Sequence, residues 1–239
     1  MRLIKKYHKL IPVYVLVVLL FVIASILCNQ FASVFSGNVL LENKNCIIID
    51  AGHGGVDGGA TSCTGVLESN MNLEIAIKLN DLLNFLGYST KMIRTEDVSV
   101  YTEGNSIAQK KVSDLKQRVS ITKKTKNPIL ISIHQNYFID PKYNGAQVFY
   151  APTDGSKTLA TILQNQFKSC LNKNSKRDIK KADSVYLMQN ISCPGVLIEC
   201  GFLSNAEEEF ALRNKDYQQE ICCVIASSIS EYLKTNGLS

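Results

Sequence analysis

Short apolar runs that alternate with amphipathic segments of helical length constrain the fold of this chain most strongly. Runs such as residues 46–50 and 129–133 are too short for stable helices and are typical of buried strands. Between them, residues 69–86 place Leu73, Ala76 and other apolar side chains at helical spacing. Strands that alternate with helices in this way predict an α/β layered domain.

The same reading along the chain predicts six strands and four helices. Ser113 is expected to cap the second helix, and Asp216 to open the last one with Gln219 as its capping-box partner. The predicted strands are 46–50, 88–94, 129–133, 146–151, 184–188 and 195–198, and the predicted helices are 69–86, 113–124, 156–171 and 216–236.

The N-terminus has the layout of an export signal. Residues 1–36 contain no acidic residue, and four basic residues precede an uncharged apolar run at 10–28. A run of this length can cross a bilayer as a helix, and its basic flank stays cytoplasmic. We therefore expect residues 1–28 to be a signal peptide or transmembrane anchor, 29–44 a linker, and 45–239 the folded domain, outside the cytoplasm.

Charge excludes one large class of function. The chain has 26 basic and 21 acidic residues, and four of the basic residues lie in the N-terminal signal. The remainder is therefore nearly neutral, with 22 basic against 21 acidic residues. No basic footprint is left that would bind nucleic acid, so no nucleic-acid partner is expected.

Four chemically versatile side chains follow strands or begin a helix. His53, His134 and Glu199 each come directly after an apolar run, and Glu68 stands at the start of the first helix. Because ligands collect at the carboxyl ends of strands in α/β sheets, these groups can converge. Three of them would make a catalytic zinc triad and the fourth a general base. Each residue taken singly also fits a structural role, such as a hydrogen-bonded histidine or a helix-dipole carboxylate.

The residues around these four side chains resemble a known family. The segment Asp50-Ala-Gly-His53-Gly-Gly-x-Asp57-x-Gly59-Ala60 is similar to the opening motif of the zinc-dependent N-acetylmuramoyl-L-alanine amidases, the Amidase_3 family. Further motifs follow in the order of that family: Glu68 before Asn72-Leu73, Arg94 with Asp97, Leu115-x-x-Arg118, Ile131-Ser-Ile-His134-x-Asn136, Gly145-x-x-x-Phe149-Tyr150, and Val196-Leu-Ile-Glu199-x-Gly201-Phe202-Leu-Ser-Asn205.

The resemblance extends from Ile47 to the C-terminus and carries specific expectations. It implies a mixed central sheet flanked by helices on both faces. It implies that His53, Glu68 and His134 bind Zn2+ and that Glu199 is the catalytic glutamate. The implied reaction is hydrolysis of the amide between the lactyl group of N-acetylmuramic acid and the L-alanine of the peptidoglycan stem peptide.

Among such amidases, the chain looks most like the sporulation- or germination-specific type that acts on the spore cortex. The implied location is the cell wall or the forespore intermembrane space, with the enzyme membrane-anchored or secreted. No second domain for wall binding is visible, which makes an accessory protein partner an expectation. Two positions depart from the family pattern: Gln135 replaces a small residue, and Ile93 replaces a threonine.

Two other functions remain open at this point. A zinc peptidase that cuts within the stem peptide would need the same ligands and the same base. A catalytically silent wall-binding module would keep the fold without turnover, although an intact ligand set argues against it.

Overall fold

The computed structural model describes residues 16–20, 22 and 45–237 of the 239-residue chain. The predicted signal or anchor at 1–28 falls largely outside these residues, and the linker at 29–44 falls wholly outside them. The short described part of the apolar run, 16–20 and 22, is helical. Within the described ranges, no helix combines the length and hydropathy needed to span a bilayer.

A six-stranded mixed sheet forms the centre of residues 45–237, in the order β2-β1-β3-β6-β4-β5. Four neighbouring strands are parallel, whereas β4 runs antiparallel to β6. The predicted mixed sheet is therefore confirmed. The strands are β1 (Cys46–Ala51), β2 (Ser89–Met92), β3 (Pro128–Asn136), β4 (Gln147–Tyr150), β5 (Lys180–Lys181) and β6 (Gly195–Phe202).

Helices cover both faces of the sheet, as predicted. Three long helices, α1, α3 and α6, pack on one face, and α2 and α4 pack on the other. The helices are α1 (Glu68–Phe85), α2 (Ile107–Lys124), α3 (Ser156–Cys170), α4 (Tyr186–Asn190), α5 (Ala206–Arg213) and α6 (Lys215–Thr235).

Alternation along the strands decides which side chains can reach a common site. In β3, Ile131 and Ile133 point into the larger core under α1, α3 and α6, while Leu130 joins the smaller core under α2 and α4. Because side chains alternate between the faces of a sheet, His134 lies on the α2 and α4 face. In β6, Leu197 belongs to that same smaller core. Alternation therefore also places Glu199 there.

The second helix begins earlier than predicted. It starts at Ile107, where Ser106 Oγ accepts the Gln109 N–H at 3.2 Å and Gln109 Oε1 accepts the Ser106 N–H at 3.2 Å. Ser113, the predicted cap, lies inside the helix, where its Oγ accepts the N–H of Thr102 at 3.1 Å. The prediction was wrong because a hydroxyl that can cap a helix can equally anchor a neighbouring loop.

Two further predictions near the C-terminus were wrong. The strand predicted at 184–188 is the short helix α4, which contributes Leu187 to the smaller core. The last helix starts at Lys215 and not at Asp216, because Asn214 accepts the N–H groups of Asp216 and Tyr217. Asn205 caps the additional helix α5 in the same way.

Candidate metal centre

The four candidate residues lie at one edge of the sheet. His134 in β3 and Glu199 in β6 are direct neighbours across the parallel ladder. Both strands were predicted to end at these residues but continue to Asn136 and Phe202, with a register shift after His134. His53 lies in the loop that follows β1, and Glu68 is the first residue of α1.

Two imidazoles and one carboxylate point at a common position. One ligand atom from each of His53, Glu68 and His134 lies within 4.8 Å of the other two. His53 Nε2 is 3.2 Å from Glu68 Oε2, and His134 Nδ1 is 3.0 Å from Glu68 Oε1. The two imidazole rings are nearly perpendicular, with centroids 5.0 Å apart. This donor set suits a zinc ion of the catalytic type, which uses three protein ligands and leaves the fourth position for water.

The loop after β1 needs glycine because the ligands crowd its backbone. A Cβ on Gly52 would lie 2.2 Å from the His134 ring, and a Cβ on Gly59 would lie 2.5 Å from Glu68 Oε2. His53 itself adopts a left-handed φ of 59°, which is uncommon for a residue with a side chain. The surrounding structure must therefore hold the loop in place.

Two buried arginines hold that loop. Arg94 donates from Nε to the Ala51 carbonyl at 2.9 Å and from Nη2 to the Gly52 carbonyl at 3.0 Å. Arg118 donates to the Ala51 carbonyl at 2.9 Å and to the His53 carbonyl at 2.7 Å. The Arg118 guanidinium is balanced by ion pairs with Asp50 and Asp114. The turn and helix motifs that contain these arginines thus shape the candidate metal centre.

Additional polar contacts orient each candidate ligand. Asp57 Oδ2 lies 3.0 Å from His53 Nδ1, so it fixes the ring with Nε2 facing the centre. Glu68 Oε2 accepts the Ala60 N–H at 3.0 Å. Glu68 Oε1 accepts the side-chain N–H of Asn72 at 3.3 Å and the Gln135 N–H at 3.2 Å. The carboxylate is therefore held from both sides.

Neighbouring charges keep Glu68 ionised. Burial alone would raise the pKa of the Glu68 carboxyl, but hydrogen bonds and charge from His134 and His53 hold it far below its usual range. Burial would likewise lower the pKa of His53, yet the carboxylates of Glu68 and Asp57 raise it overall. The negative charges of Glu68 and Asp57 therefore favour a cation between His53, Glu68 and His134.

Glu199 has the opposite electrostatic character. Burial raises the pKa of its carboxyl to about 7; the charge of His134 acts against this shift, and the nearby Glu68 charge adds to it. Its Oε2 is shielded from solvent and has no hydrogen-bond partner among the described residues. A carboxylate of this kind can accept and release a proton near neutral pH, as a general base requires.

A cleft of about 290 Å³ opens beside these side chains. Its walls include His53, His134 and Glu199, together with two residues from the helices, Lys111 of α2 and Tyr186 of α4. Sequence reasoning missed both wall residues because it placed Lys111 in a loop and Tyr186 in a strand. The capping-box pattern of α2 was the available signal for Lys111, whose Nζ lies 3.0 Å from Asp57 Oδ2.

The side chain of Gln135, one of the two departures from the family pattern, lies against Asn72. Its Nε2 donates to Asn72 Oδ1 at 3.2 Å, and only 3% of the residue is exposed. Ile93, the other departure, is a buried part of the smaller core.

Comparison with known families matches residues 47–231 to Amidase_3, described as N-acetylmuramoyl-L-alanine amidase. Among curated proteins, the germination-specific N-acetylmuramoyl-L-alanine amidase of Bacillus subtilis (strain 168) is 36% identical over 193 residues. The match covers 80% of this chain and 81% of that protein.

Solved structures agree with this match. The CwlD amidase of Clostridioides difficile, determined in complex with the GerS lipoprotein, is 37% identical with a TM-score of 0.77. That match covers 80% of this chain and 100% of the other. An N-acetylmuramoyl-L-alanine amidase from Clostridium difficile 630 is 31% identical with a TM-score of 0.71, covering 81% of this chain and 98% of the other.

Proposed function

Because the chain belongs to the Amidase_3 family of N-acetylmuramoyl-L-alanine amidases, we propose that it is a Zn2+-dependent hydrolase of peptidoglycan. The bond cleaved is the amide between the lactyl group of N-acetylmuramic acid and the L-alanine of the stem peptide. The observation that carries this proposal is the convergence of His53, Glu68 and His134 on one position beside the buried Glu199.

His53, Glu68 and His134 are the residues that would hold the zinc ion. When bound, zinc supplies a Lewis acid that polarises the substrate carbonyl and lowers the pKa of water. Glu199 accepts a proton from the attacking water and passes it to the alanine nitrogen as the amide breaks. The pKa of about 7 suits both transfers, because the same carboxyl must be ionised in the first and protonated in the second.

Spore-cortex or cell-wall peptidoglycan outside the cytoplasm is the proposed substrate in the cell. This part of the proposal rests on the germination-specific relative from Bacillus subtilis and on the basic, apolar N-terminal sequence. The N-terminal segment would export the domain and either anchor it to the membrane or be removed.

An accessory protein partner is also part of the proposal, because the Clostridioides difficile relative was solved in complex with a lipoprotein. If such a partner is needed, the purified chain alone will degrade peptidoglycan slowly even at stoichiometric zinc. Full activity of the chain alone would remove the partner from the account.

The role of Glu199 is tested by Glu199→Gln, which keeps the size of the side chain and removes its basicity. We expect zinc content to stay at the wild-type level and hydrolysis to fall at least ~100-fold. Glu231→Gln on α6 is the matched control, since this carboxylate bonds Gln166 outside the cleft and should leave turnover unchanged. Near-normal turnover of Glu199→Gln would remove Glu199 from the mechanism.

A further inference from the structure

We propose that Gln135 is a positioning residue for the candidate metal ligand Glu68, and that its side chain acts through Asn72. The inference rests on the proposed zinc site. It concerns the side chain of Gln135 alone, because the backbone N–H of any residue at this position could donate to Glu68 Oε1.

A continuous path of hydrogen bonds joins the two residues. Gln135 Nε2 donates to Asn72 Oδ1 at 3.2 Å. Asn72 Nδ2 in turn donates to Glu68 Oε1 at 3.3 Å and to the Gly52 carbonyl at 3.2 Å. Gly52 directly precedes His53, so the Asn72 amide ties together the two segments that carry these candidate ligands. Asn72 is fully buried and does not contact bulk solvent.

The chemistry of these partners explains why a donor is needed at position 135. The Glu68 carboxylate and the Gly52 carbonyl are acceptors, so Asn72 must present its amide N–H groups to them. This leaves Asn72 Oδ1 facing Gln135, where it would be a buried acceptor without a partner unless position 135 supplied a proton. The Gln135 amide supplies it and favours the orientation of Asn72 that holds Glu68.

The side-chain carbonyl of Gln135 also supports a positioning role for the contact with Asn72. Gln135 Oε1 is buried and has no hydrogen-bond partner among the described residues. A buried, unpartnered carbonyl is unfavourable, and an apolar side chain of the same size would avoid it. Nε2, in contrast, donates to Asn72, and the Gln135 side chain also contacts the Cys200 thiol.

Zinc affinity of the full-length protein tests the proposal. Metal-free wild type, Gln135→Met and Gln135→Glu would be titrated with zinc against a chromophoric chelator. Methionine keeps the length of the side chain and removes the donor, so the dissociation constant should rise about tenfold. Glutamate places an acceptor against Asn72 Oδ1, so its loss should exceed that of methionine. The visible absorption of the Co2+-loaded proteins should change in the same order.

Gln164→Met is the matched control, because Gln164 is also a buried glutamine but bonds the backbone of Val148 and Ala146. It should lower the melting temperature and leave the zinc dissociation constant unchanged. A dissociation constant for both Gln135→Met and Gln135→Glu within twofold of wild type would overturn the inference while leaving the zinc site intact. Failure of wild type to bind zinc would instead overturn the proposed function.

Discussion

Replacing Glu199 by Gln should stabilise the metal-free protein, although we expect the same change to slow hydrolysis. Unfolding exposes the carboxyl to water, where its pKa returns to about 4.5, whereas burial in the folded protein raises the pKa to about 7. The unfolded state therefore releases its proton first as the pH rises. Between these two values, ionisation favours unfolding and the free energy of unfolding falls.

The size of this effect follows from the two pKa values. Each pH unit between 4.5 and about 7 lowers the free energy of unfolding by about 1.4 kcal/mol. Above pH 7 the Glu199 carboxylate therefore lowers it by at most about 3 kcal/mol. Glutamine has no such titration. The difference in unfolding free energy between Glu199→Gln and wild type should therefore be near zero at pH 4.5 and favour the variant by about 3 kcal/mol at pH 8.

Urea unfolding of the two chelator-treated proteins, followed by circular dichroism from pH 4.5 to 8, measures this difference. Titrating groups that do not interact with Glu199 are shared by both proteins and cancel in the comparison. A difference that stays constant across the pH range would refute the reasoning, because it would mean that the Glu199 carboxyl has an ordinary pKa in the folded protein.

Three further changes test other parts of the account. Gly52→Ala should displace the His134 ring and abolish zinc retention measured by metal analysis. Gly65→Ala has open space around its Cβ, so it should retain zinc and lower the free energy of unfolding by about 1 kcal/mol. His53→Ala and His134→Ala should each lose zinc affinity and thermal stability together. A fragment beginning at Asn38 should be soluble and folded by circular dichroism. An insoluble fragment would mean that the predicted domain boundary is wrong.

Much of the fold could be predicted from the sequence because the buried strands have unambiguous patterns. The apolar stripe of α6, which includes Ile221, Ile225 and Ile229, is buried as its helical spacing predicts. Helix α4 could not be predicted from residues 184–188, since a run of five residues with Val185 and Leu187 fits a strand and a short helix equally well. Its environment on the α2 side of the sheet decides the outcome.

The candidate site was predictable in its residues but not in its supporting contacts. Predicted positions after strands or at a helix start made His53, Glu68, His134 and Glu199 candidates, and the family resemblance supplied their expected roles. The contact between Gln135 and Asn72 joins positions 63 residues apart and depends on the packing of α1 against β3. Neither spacing nor composition contains that information.

Product analysis of peptidoglycan digested by the purified protein, with and without a chelator, tests the central claim most directly. The account predicts that digestion frees the amino group of L-alanine together with the lactyl carboxyl group of N-acetylmuramic acid. It also predicts that chelation stops this release and that added zinc restores it. New termini only within the stem peptide would indicate a peptidase, and release that persists in the chelator would contradict a zinc-dependent amidase.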